Sequence, residues 1–115
     1  MAETRFPALN IVDALWVNAT PGRGPGTPYE AARRTDVVAA STDPVALDYW
    51  AAKNVLIPAA RHLGYDDVTA MDPDNTGGRS FGRWLRLSRE EIVRAGHQAT
   101  TDEAHISVHI APAAQ

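Results

Sequence analysis

The segment D-V-V-A-A-S-T-D-P-V-A-L-D-Y-W, Asp36 to Trp50, decides the fold because it joins a strand to a helix through a tight turn. Its apolar first part, Asp36–Ser41, is typical of a buried strand. Asp43 is a favoured helix N-cap residue, and Pro44 suits the first helical turn, where no amide hydrogen is needed. A strand followed directly by a capped helix predicts an α/β domain.

The rest of the chain supplies the other elements of a small sheet with packed helices. Leu9–Val17 is apolar and rich in β-branched residues, which predicts a strand buried on both faces. The alternation in His105–Ile110 predicts an edge strand, so the sheet is expected to have about three to four strands. Helices are expected at Thr27–Arg34, from Pro44 to about Ile57, from Pro58 to His62 and at Ser88–Ala95, with a frayed tail at Ala111–Gln115.

The composition limits the class of protein. The 115 residues include 44% hydrophobic and 22% charged side chains, with a formal net charge of -3. These values fit one domain and argue against broad nucleic-acid or membrane binding. The absence of cysteine excludes disulfides and cysteine-ligated iron–sulfur clusters within this chain. No signal peptide or membrane-spanning run is evident, so the chain, if complete as given, is expected in the cytoplasm.

Two aspartates occupy positions where the pattern predicts burial. Asp48 lies within the apolar arc of the helix that begins at Pro44, and Asp13 lies in the apolar first strand. A buried carboxylate costs several kcal/mol unless it is paired or bound to a metal. Asp13 and Asp48 are therefore candidate catalytic residues and candidate ligands of Mg²⁺ or Ca²⁺.

Three explanations of these aspartates stay open. In the first, each carboxylate caps a backbone turn or pairs with an arginine. In the second, the two hold a hard cation together, with Asp43 as a further ligand. In the third, one of them is an acid–base group with a raised pKa. The first explanation needs no ligand, whereas the other two need a cleft.

The loop G-R-G-P-G, Gly22 to Gly26, is a candidate anion site because backbone amides in such a turn bind anions, here with the help of a neighbouring arginine. It matches neither common glycine-rich phosphate motif, so a tight loop without a ligand is the simpler explanation. If the first two strands are parallel neighbours, this loop and the turn after the second strand meet at one sheet edge. The candidate ligand-binding residues there are Arg23, Gly24, Gly26, Ser41, Thr42 and Asp43.

A basic stretch in the second half of the chain surrounds two aromatic residues. It consists of Phe81 and Trp84 with Arg79, Arg83, Arg86, Arg89 and Arg94. Such a stretch suits a phosphate, a carboxylate or an acidic partner, although a solvated helix face with local ion pairs is the usual explanation.

Three segments, taken in order, resemble the domain-of-unknown-function 362 family. They are L-N-I-V-D-A-L-W from Leu9, the G-R-G-P-G loop, and A-A-S-T-D-P-V-A-L-D-Y-W from Ala39. The resemblance covers Leu9 to about Ala60 and continues more loosely through Phe81–Ser88.

The resemblance implies an α/β fold and implies that this chain is the C-terminal portion of a longer domain. The positions that match the family's motif are Asp13, Asp43, Pro44 and Asp48. Many members carry a cysteine-rich segment for iron–sulfur clusters, and that redox association does not carry over to a chain without cysteine. The family has no settled activity, so the resemblance informs the fold and the site more than the function.

The leading functional hypothesis is a ligand-binding α/β domain, part of an enzyme, in which Asp13 and Asp48 line a cleft for a small anionic ligand or a hard cation. The alternative from another class is a non-catalytic assembly module. A third, an accessory domain of an iron–sulfur electron-transfer protein, rests on the resemblance alone. A partial domain leaves strand edges uncovered, so a homo-oligomer or a partner chain is expected.

Overall fold

In the computed structural model, which describes residues 6–21 and 32–112, two paired strands carry helices on one side. The mixed α/β class expected from the sequence is confirmed. The strands are β1, Asn10–Asn18, and β2, Ala32–Ser41. The helical elements are α1 (Pro44–Ala51), a π-helical segment (Ala52–Leu56), α2 (Ile57–His62), α3 (Phe81–Arg94) and a 3-10 turn (Glu103–His105).

The two strands are antiparallel, so the condition of parallel neighbours, under which the two loops would meet at one sheet edge, is not met. Asn10 pairs with Ser41 at one end of the ladder, and Asn18 pairs with Ala32 at the other. The end of β1 and the end of β2 therefore lie at opposite ends of the sheet, roughly 27 Å apart at about 3.4 Å per residue. The described sheet has two strands rather than three or four.

β2 begins earlier than the sequence predicts. Ala32, Arg33 and Arg34 pair with the last residues of β1, so the helix expected over Thr27–Arg34 is wrong for its last three residues. The ladder with β1 supplies backbone hydrogen bonds that outweigh the weak local helix preference. The rest of that helix and the G-R-G-P-G loop lie outside the described residues.

A bulge interrupts the ladder in its middle. Between the pairs Ala14–Val37 and Trp16–Arg34, β1 has one residue, whereas β2 has two. Asp36 in the bulge has a φ of 55°, a left-handed value that aspartate tolerates better than most residues. Past the bulge, Trp16 is exposed and the next β1 residue turns toward the helices.

The helix that begins at Pro44 continues to His62, with a break in its regular pattern where the sequence predicts one. The π-helical segment Ala52–Leu56 lies just before Pro58. A proline inside a helix lacks an amide hydrogen and its ring clashes with the carbonyl one turn earlier, and a widened turn relieves both effects. Gly64, with a φ of 96°, ends the helix, because a left-handed residue there lets the last carbonyls be satisfied.

α3 is longer than expected, since it begins at Phe81 and not at Ser88. Ser80 is its N-cap, with Oγ accepting a hydrogen bond from the Arg83 amide at 3.3 Å. Gly82 permits this start, because a Cβ there would lie 2.6 Å from the Pro73 carbonyl oxygen. The helix ends as expected at Gly96, where φ is 93°.

The strand expected over His105–Ile110 is wrong, because the described part of the chain offers it no strand to pair with. Glu103–His105 forms a 3-10 turn capped by Asp102, and the residues after it are irregular. Val108 and Ile110 are exposed.

Among the described residues, two clusters of buried side chains lie on the helical side of the sheet. The first core cluster is centred on α2 and comprises Ala19, Ile57, Ala59, Ala60 and Val68. The second core cluster joins α1 to α3 and comprises Val45, Tyr49 and Leu85. Among the described residues, no helix is long and apolar enough to cross a membrane.

Candidate functional site

The Asp43 carboxylate is fully engaged by the backbone. Its Oδ1 accepts hydrogen bonds from the amides of Val45 and Ala46 at 2.9 and 3.0 Å, which caps α1. Its Oδ2 accepts a hydrogen bond from the Thr100 amide at 2.8 Å. Asp43 therefore fastens the segment after α3 to the start of α1. For Asp43 the structure therefore fits the first of the three explanations given above, in which a carboxylate caps a backbone turn.

The other residues of that turn are also explained by local bonds or face solvent. The Ser41 hydroxyl accepts a hydrogen bond from the Asp43 amide at 3.0 Å, and the Ser41 carbonyl accepts one from the Asn10 side chain at 3.2 Å. Thr42 is exposed. Their role in ligand binding stays a prediction. Arg23, Gly24 and Gly26, predicted to bind the same ligand, lie outside the described residues.

The prediction that Asp13 is buried is wrong. Asp13 is exposed, and its Oδ1 accepts a hydrogen bond from the Leu15 amide two residues later at 3.1 Å. The reason is that the helices cover only the side of the sheet on which Ala14 is buried. Successive strand residues point to opposite faces, so Asp13 lies on the open face.

Asp48 is half-buried in α1, as its place in the apolar arc predicts. Burial raises the pKa of its carboxyl above the ordinary value of 3.8, because the charged form loses solvation. Among the residues that the structure describes, none makes a hydrogen bond or ion pair with this carboxylate. The burial that the sequence pattern predicts is thus present at Asp48 and absent at Asp13.

Asp13 and Asp48 lie on opposite sides of the sheet. Asp13 is on the open face, and Asp48 is on a helix that packs against the covered one. A cation bound by both carboxylates would need them on the same side of the sheet, and the structure has them on opposite sides. Within the described ranges, no cluster of three or more acidic or histidine side chains has metal-site spacing.

A polar cluster that the sequence does not reveal joins α1 to the loop before α3. Asp74 accepts a hydrogen bond from the Tyr49 hydroxyl at 2.6 Å, and its other oxygen lies 2.5 Å from Lys53 Nζ. Lys53 also donates to the Tyr49 hydroxyl at 3.3 Å and to Glu103 at 3.2 Å. The Tyr49–Lys53 spacing of four residues on a helix was the available signal, because such residues are neighbours.

These contacts shift the pKa values of all three groups. The hydrogen bond from Lys53 holds the pKa of Asp74 below its usual value, and the Tyr49 hydroxyl adds to this effect. The hydrogen bond to Asp74 raises the pKa of Lys53. Burial raises the pKa of Tyr49, and its hydrogen bond to Asp74 raises it further. Every member has a partner, so the cluster acts as a cross-link between elements.

The open face of the sheet carries large apolar side chains. Ile11 and Trp16 are each 64% exposed, Val38 is 60% exposed and Leu15 is 42% exposed. We call this set, Ile11, Leu15, Trp16 and Val38, the open sheet face. No element in the described part of the chain covers it. The apolar composition of β1 predicts that both of its faces are buried, and this prediction is wrong for the described structure.

The Asp43 clamp gives a stability prediction. Replacement of Asp43 by alanine removes the helix cap and the bond to Thr100, so we expect the free energy of unfolding in urea to fall by about 2 kcal/mol. Asp43→Asn keeps one acceptor oxygen and should lose less. Asp66→Ala is the control, because Asp66 is exposed and has no bond within the described residues. An Asp43→Ala variant as stable as Asp66→Ala would contradict the clamp.

The Asp74 cluster gives a pH prediction. Because the pKa of Asp74 is lower in the folded than in the unfolded state, its stabilising effect is present above the ordinary value of 3.8 and is lost as pH falls through the folded pKa. We expect Asp74→Asn to unfold more easily than wild type at pH 6, with the difference shrinking below about pH 4. Thermal unfolding between these values measures it, with Asp66→Asn as the control. A difference that is independent of pH would refute this assignment.

Comparison with known proteins finds one family model that matches part of the chain. Residues 1–53 match the model described as Domain of unknown function (DUF362). No curated protein and no solved structure matches the chain. The matched residues are the N-terminal part of this chain, which does not support its assignment as the C-terminal portion of the domain. The resemblance seen in the sequence is thus confirmed for residues 1–53, which match the family of domains of unknown function 362.

Proposed function

We propose that this chain is a non-catalytic assembly module that packs the open sheet face against the same face of a second copy. The observation that carries the proposal is the exposure of Ile11, Leu15, Trp16 and Val38 on one surface. Exposed apolar patches of this kind, with polar residues around them, are typical of interaction sites. A two-stranded sheet is also marginal alone and gains from further packing.

The charges on this face favour a second copy as the partner. Asp13, Arg34 and Asp36 are exposed on the same side as the apolar residues, with Arg34 Nε 2.5 Å from Asp36 Oδ1. Both signs of charge are thus present on one surface. In a dimer with twofold symmetry, this face packs against the identical face of the partner copy. Acidic side chains of one copy can then pair with basic side chains of the other across the interface.

The state of the predicted acidic site also supports this proposal over an enzyme. The carboxylates of Asp13 and Asp43 accept hydrogen bonds from backbone amides, as expected of residues that fix turns. The open sheet face has no comparable explanation within the described structure. An assembly role accounts for both observations.

Sedimentation velocity tests the assembly proposal. We expect the wild-type chain to form dimers in a concentration-dependent manner, because pairing the open faces removes apolar area from water. Val38→Lys places a charge at the centre of that face and should weaken dimerisation by about tenfold or more.

The matched control is Val93→Lys. Val93 is also an exposed valine, but it lies on α3, away from the sheet. Equal weakening by both substitutions would show that the effect is general and not specific to the face. A wild-type chain that stays monomeric at all concentrations would refute the proposal.

A second candidate function, cation or ligand binding near Asp48, has one specific observation in its favour. Burial raises the pKa of Asp48, and no described residue compensates its charge. A hard cation such as Mg²⁺ or Ca²⁺, bound through carboxylate oxygen, would supply that compensation. As a candidate catalytic or metal-binding residue, Asp48 is therefore the stronger of the original two.

The Asp48→Asn variant tests this second candidate. A raised folded-state pKa means that the carboxyl costs stability as pH rises above 3.8, so the variant should be more stable than wild type at pH 7 and equal to it near pH 3. With cation at about 100 times its dissociation constant, wild type should gain about 2.7 kcal/mol.

Thermal unfolding with and without each cation measures both effects. The cation effect should be absent from Asp48→Asn. Equal cation shifts in both proteins, or none in either, would exclude a cation at Asp48 and leave the pH effect as a property of burial alone.

A further inference from the structure

A groove separate from the open sheet face is formed where four parts of the chain meet. It has a volume of about 640 Å³, within the range of small-molecule sites. Its walls come from the end of β1, the π-helical segment, the loop after α2 and the start of α3. The lining residues include Ala19, Leu56, Met71, Arg79, Phe81 and Trp84.

The floor of the groove belongs to the folded core. Ala19 is a member of the first core cluster, and Leu56 and Met71 pack against that cluster. Side chains anchored in this way keep their positions, so the groove is formed before any ligand arrives. Most of the lining residues are apolar, which suits an apolar ligand body.

Two aromatic rings form one wall and are partly open to solvent. Phe81 and Trp84 stack with ring centroids 5.8 Å apart at an angle of 23°. Trp84 is 55% exposed although its ring is large and apolar. Aromatic side chains placed in this way offer a flat surface for an apolar or aromatic group.

Arg79 is the only ionisable residue among the described residues that line the groove. It is exposed, and within the described parts of the chain its guanidinium has no ion pair or hydrogen bond. The nearby Ser80 hydroxyl is already used, because it donates to the Asn75 carbonyl at 2.6 Å and caps α3. Among the described residues, the charge that a ligand would meet in this groove is therefore a single positive one.

From this combination we infer that the groove binds a small molecule with an apolar, preferably aromatic, body and one carboxylate. The carboxylate accepts two hydrogen bonds from the Arg79 guanidinium, whose planar shape matches it. The body lies against Trp84 and Met71. A single cation suits a carboxylate better than a phosphate, which ordinarily needs several donors.

Isothermal titration calorimetry with naphthylacetate tests this site. We expect wild type to bind it and to bind the uncharged naphthylacetamide at least about tenfold more weakly, because the amide lacks the charge that Arg79 recognises. Arg79→Gln should weaken naphthylacetate binding by about the same factor and leave the amide unaffected. Trp84→Ala should weaken both compounds, since it removes the wall that they share.

The matched control is Arg83→Gln. Arg83 is also exposed, lies four residues after Arg79 in the first turn of α3 and does not line the groove. Arg83→Gln should leave the affinities for naphthylacetate and naphthylacetamide unchanged, as should the sheet variant Val38→Lys. Circular dichroism verifies that each variant is folded. The inference is overturned if wild type does not bind naphthylacetate, if acid and amide bind equally, or if Arg83→Gln weakens the acid as much as Arg79→Gln does.

Discussion

The carboxylate of Asp43 holds together parts of the chain that are far apart in sequence. One oxygen satisfies the free amides at the start of α1, and the other binds the amide of Thr100. Free amides at a helix start must find acceptors, so the needs of α1 by themselves favour an aspartate at this position. Its second oxygen then fixes the segment that follows α3. α3 itself contributes Leu85 to the second core cluster, which joins it to α1. A local cap thereby becomes a long-range connection.

Features that depend on near neighbours in sequence could be predicted. The cap at Asp43, the break near Pro58 and the helix end at Gly96 are all as expected, because caps, prolines and left-handed glycines act over a few residues. The sequence predicts a later start of α3, because glycine at position 82 disfavours a helix and Ser88 is a good N-cap residue. In the structure, Gly82 serves close contact with the preceding loop.

Features that depend on distant pairing could not be predicted. Strand direction is set by which backbone edges meet, and apolar composition does not distinguish a strand covered on both faces from one covered on a single face. Because of that ambiguity, the sequence predicts a buried Asp13, whereas the structure has it exposed. Lys53 and Asp74 meet only because the loop before α3 folds back on α1. The residues that match the family model, 1–53, contain both strands and α1, whereas most of the groove lies beyond them.

The bulge in the strand ladder has an evolutionary consequence. β2 has one residue more than β1 between the pairs Ala14–Val37 and Trp16–Arg34. Deletion of that extra residue would restore a regular ladder, in which successive side chains alternate strictly between the two faces, so Trp16 would turn toward the covered face and Val17 toward the open one. An indole would then be forced toward the core, and Val17, which packs against the first core cluster, would turn toward water. Selection should therefore tolerate changes of residue type in this stretch more readily than insertions or deletions.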